Sequence, residues 1–139
     1  MIDPKDYDLP GGFRHWVGDP AEDHVGPFFF RLNDGKVETV FRVGEYHCNA
    51  YGITHGGVLL AFADYTVSGV AIGESNESYA TVSLNTEFVF SSKKGDLVRG
   101  YGELIRRTGS LVFARTVLNV EGRTVLTASA VIKKIHLQS

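Results

Sequence analysis

Hydrophobic and polar positions divide the chain into three regimes. Residues 1–26 carry no period: all four prolines, Pro4, Pro10, Pro20 and Pro27, fall at or before position 27, with Gly11, Gly12, Gly18 and Gly26 among them. Such a segment holds no long helix or strand interior. It predicts an N-terminal arm over 1–26, ordered where its aromatics dock, with one short helical turn near Phe13, His15, Trp16 and Val17. From position 27 to 139 the pattern predicts a single folded domain. FFFRL (28–32) and KVETVFRVG (36–44) flank Asn33-Asp34-Gly35, and Asp-Gly between apolar runs signals a hairpin. In the second run Val37, Thr39, Phe41 and Val43 share one face.

The next regime is one apolar segment. After the loop HCNAYGIT, a helix is expected from about His55 or Gly56 to Ile72, stopped by Gly73. It is apolar nearly all round, and Asp64 is its only charge. A helix of that kind is buried; it is too short, and too interrupted by Asp64, Ser68 and Gly69, to cross a membrane.

The remainder alternates with period two. TVSLNTEFVF (81–90), DLVRGYGELIRR (96–107), SLVFARTVLNV (110–120) and RTVLTASAVIKKI (123–135) are joined by short polar turns, which predicts an antiparallel meander. Small residues recur at matching depth: Gly100 and Gly102, then Ala114 and Thr116, then Ala128 and Ala130. They predict a trough in which the helix approaches the sheet. The expected architecture is therefore α+β, one long central helix wrapped by a curved antiparallel sheet of five to six strands.

Composition changes this picture little. A 139-residue chain of net charge −2 with 22% charged residues is an ordinary globular domain without the basic excess of a nucleic-acid binder. One cysteine, Cys48, allows no internal disulfide, and the acidic start MIDPKDYDLPGG is no signal peptide; both favour the cytoplasm.

The candidate chemistry gathers at the helix. Gly56 and Gly57 open it, so their N–H groups lack intrahelical acceptors and face an anion or developing oxyanion. Asp64 lies seven residues on, about 10 Å along the axis. One carbonyl cannot meet both groups of the same helix. If both serve one reaction, Asp64 comes from a second subunit, with two central helices antiparallel across a two-fold axis. His47, Asn49 and His55 form no familiar metal set, and no metal is expected. Asn49 can bring its amide to the site, and His55 can hold the loop or border the substrate.

His47-x-Asn49-x-x-Gly52-x-x-His55-Gly56-Gly57, followed by Ala63-Asp64, resembles the phenylacetate-pathway (PaaI-like) branch of the hotdog-fold acyl-CoA thioesterases. TVSLNTEF (81–88) resembles the strand after the helix in that family, and the likeness covers about 28–135. It implies hydrolysis of a coenzyme A thioester by a homodimer, often a dimer of dimers, with coenzyme A as part of the substrate and no separate cofactor. Carried over, the Gly57 amide, with Gly56 or His55 nearby, polarises the thioester carbonyl. Asp64 of the partner acts as general base or nucleophile, Asn49 orients water or leaving group, and Thr81 offers a hydroxyl near the water. The acyl pocket is expected between the loop 47–55, Asp64 and Ser68, and Phe88 and Phe90. Arg106 and Arg107, or Lys93 and Lys94, are candidates for the coenzyme A phosphates. Two alternatives stand beside hydrolysis: a non-catalytic acyl-CoA-binding hotdog protein, and a hotdog hydratase or dehydratase. The Gly-Gly to Asp spacing and the absence of a fused DNA-binding segment favour hydrolysis.

Overall fold

Two-residue turns set the strand registers of the sheet. In the computed structural model, which describes residues 1–137, Asp34 and Gly35 take φ of 51° and 75°, and Glu121 and Gly122 take 50° and 79°. Both positions of each pair are left-handed, the geometry whose twist matches that of paired strands. The turns therefore close the hairpins at Asn33↔Lys36 and Val120↔Arg123.

The elements in chain order are β1 (Arg14–His15), α1 (Pro20–Val25), β2 (Phe29–Asn33), β3 (Lys36–Arg42), α2 (Gly56–Ile72), β4 (Ser78–Phe88), β5 (Leu97–Arg107), β6 (Leu111–Val120) and β7 (Arg123–Ile135). The strands form one antiparallel sheet in the order β1-β2-β3-β5-β6-β7-β4. This is one strand more than the five to six expected. The extra strand is β1, where Arg14 and His15 pair with Phe30 and Phe29. The expected helical turn near Phe13, His15, Trp16 and Val17 is thus replaced by a two-residue strand at Arg14 and His15. The helix of this region lies further on, where Asp19 caps α1 through the Glu22 N–H at 3.1 Å and Pro20 takes the first helical position.

α2 lies along the sheet as the apolar pattern requires. Gly102 is where the approach is tightest, since a Cβ there would collide with the Val70 side chain; at Gly100 a Cβ would collide with the Thr39 hydroxyl and sit 2.8 Å from that of Thr66. Gly102 stands beside Thr116, which stands beside Ala128, and Ala114 pairs with Ala130. The trough is present, and it is sealed by a buried bond of 2.7 Å between Thr39 and Thr66.

The helix divides the inner core. Phe28, Phe41, Phe62 and Leu126 pack around its first half, and Val67, Ala71, Val112 and Ile132 around its second. The other face of β2 and β3 is not bare. Phe29 and Val40, both fully buried, lie under Phe13, Ile2, Tyr7 and Leu9 of the N-terminal segment.

β4 departs from its expected pattern. It runs from Ser78 to Phe88 rather than 81–90, and a register shift between Thr81 and Ser83 breaks the alternation. Val82, Phe88 and Phe90 are exposed, while Leu84 packs on the core. Among the described residues, no helix is long and apolar enough to cross a membrane.

Candidate active site

The loop before α2 is built by its own polar side chains. His47 is buried to 1% exposure. Its Nδ1 accepts the Gly44 N–H at 2.9 Å, so the proton is on Nε2, which donates to the carbonyls of Val25 and Gly26 at 2.9 and 2.8 Å. Burial lowers its pKa from the ordinary histidine value and keeps the ring neutral. His47 thus ties the loop to the end of α1. The Asn49 Oδ1 accepts the N–H groups of Tyr51 and Ile53 at 2.9 and 3.3 Å, an arrangement that folds the loop tip back. The loop is then pinned by Thr54, whose N–H donates to the Ser92 carbonyl and whose hydroxyl accepts from Ser92 at 2.7 Å.

This brings His55 to the cap of α2. Its Nδ1 accepts the Gly57 N–H at 2.9 Å, and both residues are exposed. No acidic side chain occupies the first turn. The Gly57 N–H thus lies at the helix N-terminus, and in the lone chain its acceptor is the adjacent imidazole. Phe88 lies over Gly56, where an added Cβ would be 3.2 Å from its ring.

Asp64 is two turns further along. It is half-buried, and its Oδ1 accepts the Thr81 hydroxyl at 2.5 Å. The break in β4 register falls at Thr81, so the strand irregularity and this contact coincide. Asp64, Thr81 and Ser68 line one cavity of about 470 Å³, together with Trp16, Phe30, Ile72 and Tyr79. The chain thus brings Asp64, Thr81 and Ser68 together at one place and His55, Gly56 and Gly57 at another. Phe90 joins neither, lying under the Arg123 guanidinium at 4.0 Å.

Arg107 is engaged elsewhere. Its guanidinium donates to the carbonyls of Ala71 and Val70 at 3.1 and 3.3 Å and to the Tyr79 hydroxyl at 3.1 Å, finishing the C-terminal end of α2. Arg106 is exposed. Lys93 pairs with Asp96 at 3.6 Å, and Lys94 reaches Glu45 at 4.0 Å.

One group in the cavity was missed by sequence reasoning. Glu22, from α1, lines the same cavity as Asp64. Burial, then the neighbouring Asp19 carboxylate and more weakly Asp64 and Asp23, push its carboxyl up to about 8. The signal for α1 was in the sequence, as an Asp-Pro start with Glu in the first turn; nothing local showed that it would pack on α2. Among the described residues, no group of three or more His, Cys, Asp or Glu is arranged to hold a metal ion.

Comparison with known proteins bears on what this geometry does. A model of the thioesterase superfamily matches residues 51–130. A candidate esterase of Pseudomonas aeruginosa is 31% identical over 128 residues, covering 88% of this chain and 95% of that protein. Among solved structures, a candidate thioesterase of Ralstonia eutropha, described as a phenylacetic acid degradation-related protein, is 27% identical with a TM-score of 0.73. That match covers 84% of this chain and 92% of the Ralstonia one. A hypothetical thioesterase of Streptococcus pneumoniae, solved with coenzyme A, shares the fold at 21% identity and a TM-score of 0.71, covering 81% of this chain and 88% of that one.

Proposed function

The chain belongs to the thioesterase superfamily, and from that premise we propose that it hydrolyses acyl-CoA thioesters in a site shared between two copies of the chain. The observation that carries this reading is the Asp64–Thr81 pair. A half-buried carboxylate opens onto a cavity that it shares with Asp19 and Glu22, held by one hydroxyl and opposed by no cation among the lining residues. A side chain so placed costs stability unless it serves a purpose.

The chemistry follows from the two groups. The thioester carbonyl oxygen approaches the Gly57 N–H of one copy and replaces His55 Nδ1 as its acceptor. Negative charge developing on that oxygen then meets a donor fixed at the positive end of a helix dipole. Asp64 of the other copy either takes a proton from attacking water or attacks the carbonyl carbon itself, forming a mixed anhydride that water then opens. The coenzyme A thiolate leaves in both routes. Thr81 orients the carboxylate, and the Asn49 side-chain amide, its oxygen already occupied by the loop, is left to hold water or the leaving group.

Two features support the shared site. Gly57 and Asp64 are about 10 Å apart along one helix. Among the described residues β4 pairs only with β7, and Val82 and Phe88 on it, with Val89 and Phe90 just after it, are each more than half exposed. A free strand edge beside exposed apolar side chains is suited to a second copy.

The test is Asp64→Asn. Thiol release from a panel of acyl-CoAs should fall by at least about a hundredfold with no drop in thermal stability. Near-full turnover would remove Asp64 from the reaction. Mixing Asn49→Ala and Asp64→Ala subunits should restore part of the activity; none after verified exchange would sink the two-chain site.

A further inference from the structure

We propose that His47 is a positioning residue for the reaction: its buried ring fixes the root of the loop that carries His55, and through His55 the Gly57 N–H. This rests on the thioesterase reading and adds a residue that acts through His55 rather than on the substrate.

The loop 47–55 is closed like a small hairpin, with His47 and His55 as its two roots. The His55 N–H donates to the His47 carbonyl at 2.8 Å, Cys48 and Thr54 pair as an antiparallel bridge, and the Asn49 N–H donates to the Ile53 carbonyl at 2.8 Å. A shift of one root therefore carries the other with it. The side that ends in Thr54 and His55 is held from outside, by Ser92. The side that begins at His47 is held by the His47 ring itself. Nδ1 closes the turn Glu45–His47 on the Gly44 N–H, and Nε2 donates to the Val25 and Gly26 carbonyls where α1 ends.

Two imidazoles thus act in series. Each uses Nδ1 to accept a main-chain N–H at 2.9 Å, His47 from Gly44 and His55 from Gly57. The His55 ring is exposed, so its place depends on its main chain. The His47 ring is buried and packs against Phe41 and Tyr46, with centroids 5.2 and 4.1 Å away, which holds it in one orientation. The buried ring is the fixed point and the exposed one follows it. α1 also brings Asp19 and Glu22 to the Asp64 cavity, so the same ring sets the spacing between that cavity wall and the Gly57 N–H of one chain.

The position demands an acceptor on one side of a planar group and a donor on the other, which neutral imidazole supplies. A hydrocarbon side chain would leave the Gly44 N–H and the two α1 carbonyls without that partner and free the loop root to move. A reacting group misplaced by about 1 Å costs on the order of a hundredfold in rate.

The experiment measures kcat and KM for thiol release from the acyl-CoA that the wild type turns over fastest, on variants shown to be folded by circular dichroism. His47→Leu should lower kcat about 10- to 100-fold, the scale of a displaced donor, with KM within about twofold. His47→Asn keeps an acceptor at the place of Nδ1 and should restore kcat to within about threefold of wild type. His47→Gln reaches toward α1 but leaves the Gly44 N–H unpaired, and should stay about tenfold down. Tyr46→Phe is the control for a purely structural bond. It removes a 3.0 Å hydrogen bond to the same Gly26 carbonyl and should lower the melting temperature with kcat unchanged. A folded His47→Leu with wild-type kcat overturns the proposal, as do equal kcat values for His47→Asn and His47→Gln. Should His47→Leu fail to fold, the order of His47→Asn and His47→Gln decides alone. If the wild type releases thiol from no acyl-CoA, the hydrolase reading fails by itself, and the NMR signal of the Gly57 amide decides the positioning role. It should move in His47→Gln and hold in Tyr46→Phe; an unmoved signal in His47→Gln overturns the proposal.

Discussion

The two ends of α2 are finished in opposite ways. At the C-terminal end Gly73 donates to the Gly69 carbonyl at 2.9 Å, and Arg107 reaches across from β5 to the carbonyls of Val70 and Ala71. A cation sits where the helix dipole is negative, and orphan carbonyls find donors. At the N-terminal end the dipole is positive, yet no acid fills the first turn, and the Gly57 N–H rests on one exposed imidazole. One end is completed within the chain for stability. The other leaves the Gly57 N–H to a single solvent-exposed imidazole.

The contrast is broken most severely at the open end. Gly57→Ala places a Cβ 3.0 Å from the His55 Nδ1, where a substrate oxygen must also approach. Activity should fall about 10- to 100-fold, toward the loss seen when an oxyanion donor is removed, while the melting temperature stays level or rises slightly, since Ala is the better helix former. A variant with wild-type kcat/KM would take the Gly57 amide out of the site.

The closed end should answer in stability instead. Arg107→Met removes three donated hydrogen bonds and should cost about 1–2 kcal/mol, a loss of several degrees in melting temperature, with kcat unchanged. Thermal melts and coenzyme A saturation curves distinguish this from a role in phosphate binding. A raised KM with an unaltered melting temperature would return Arg107 to the substrate and erase the contrast.

The smallest effect concerns α1, which packs beside the middle of α2. Glu22 holds its proton to about 8 when folded, against 4.5 for an ordinary glutamate. Between those values the unfolded chain binds fewer protons, so stability falls as pH rises through this window. Glu22→Gln removes that loss. The variant should match wild type near pH 4.5 and exceed it at pH 8 by on the order of 1 kcal/mol after solvent screening. Equal melting temperatures at both pH values would show that Glu22 ionises normally.

Local signals marked most of the frame. Asp34-Gly35 and Glu121-Gly122 specified their hairpins because left-handed backbone at both turn positions is a local property. The limits of α2 at Gly56 and Gly73 followed from apolar run length and a terminating glycine. The trough was legible because small residues at matching strand depth leave room whatever packs there. The course of β4 was less so, since the register shift between Thr81 and Ser83 is a property of its pairing with β7.

The site divides along the same line. His55, Gly57 and Asp64 stand out in the sequence because glycines opening an apolar helix and a lone acid within it are anomalies visible one-dimensionally. That Thr81 holds Asp64, that Arg107 caps the far end of α2, and that Glu22 enters the cavity are contacts across 17, 36 and more than 40 positions of chain. The sequence by itself determined the periods, the turns and the anomalous residues, because these depend on backbone preference and on the solvation of single side chains. Tertiary structure alone decided which of those residues share a cavity, because burial and electrostatic coupling depend on neighbours that folding brings from distant parts of the chain.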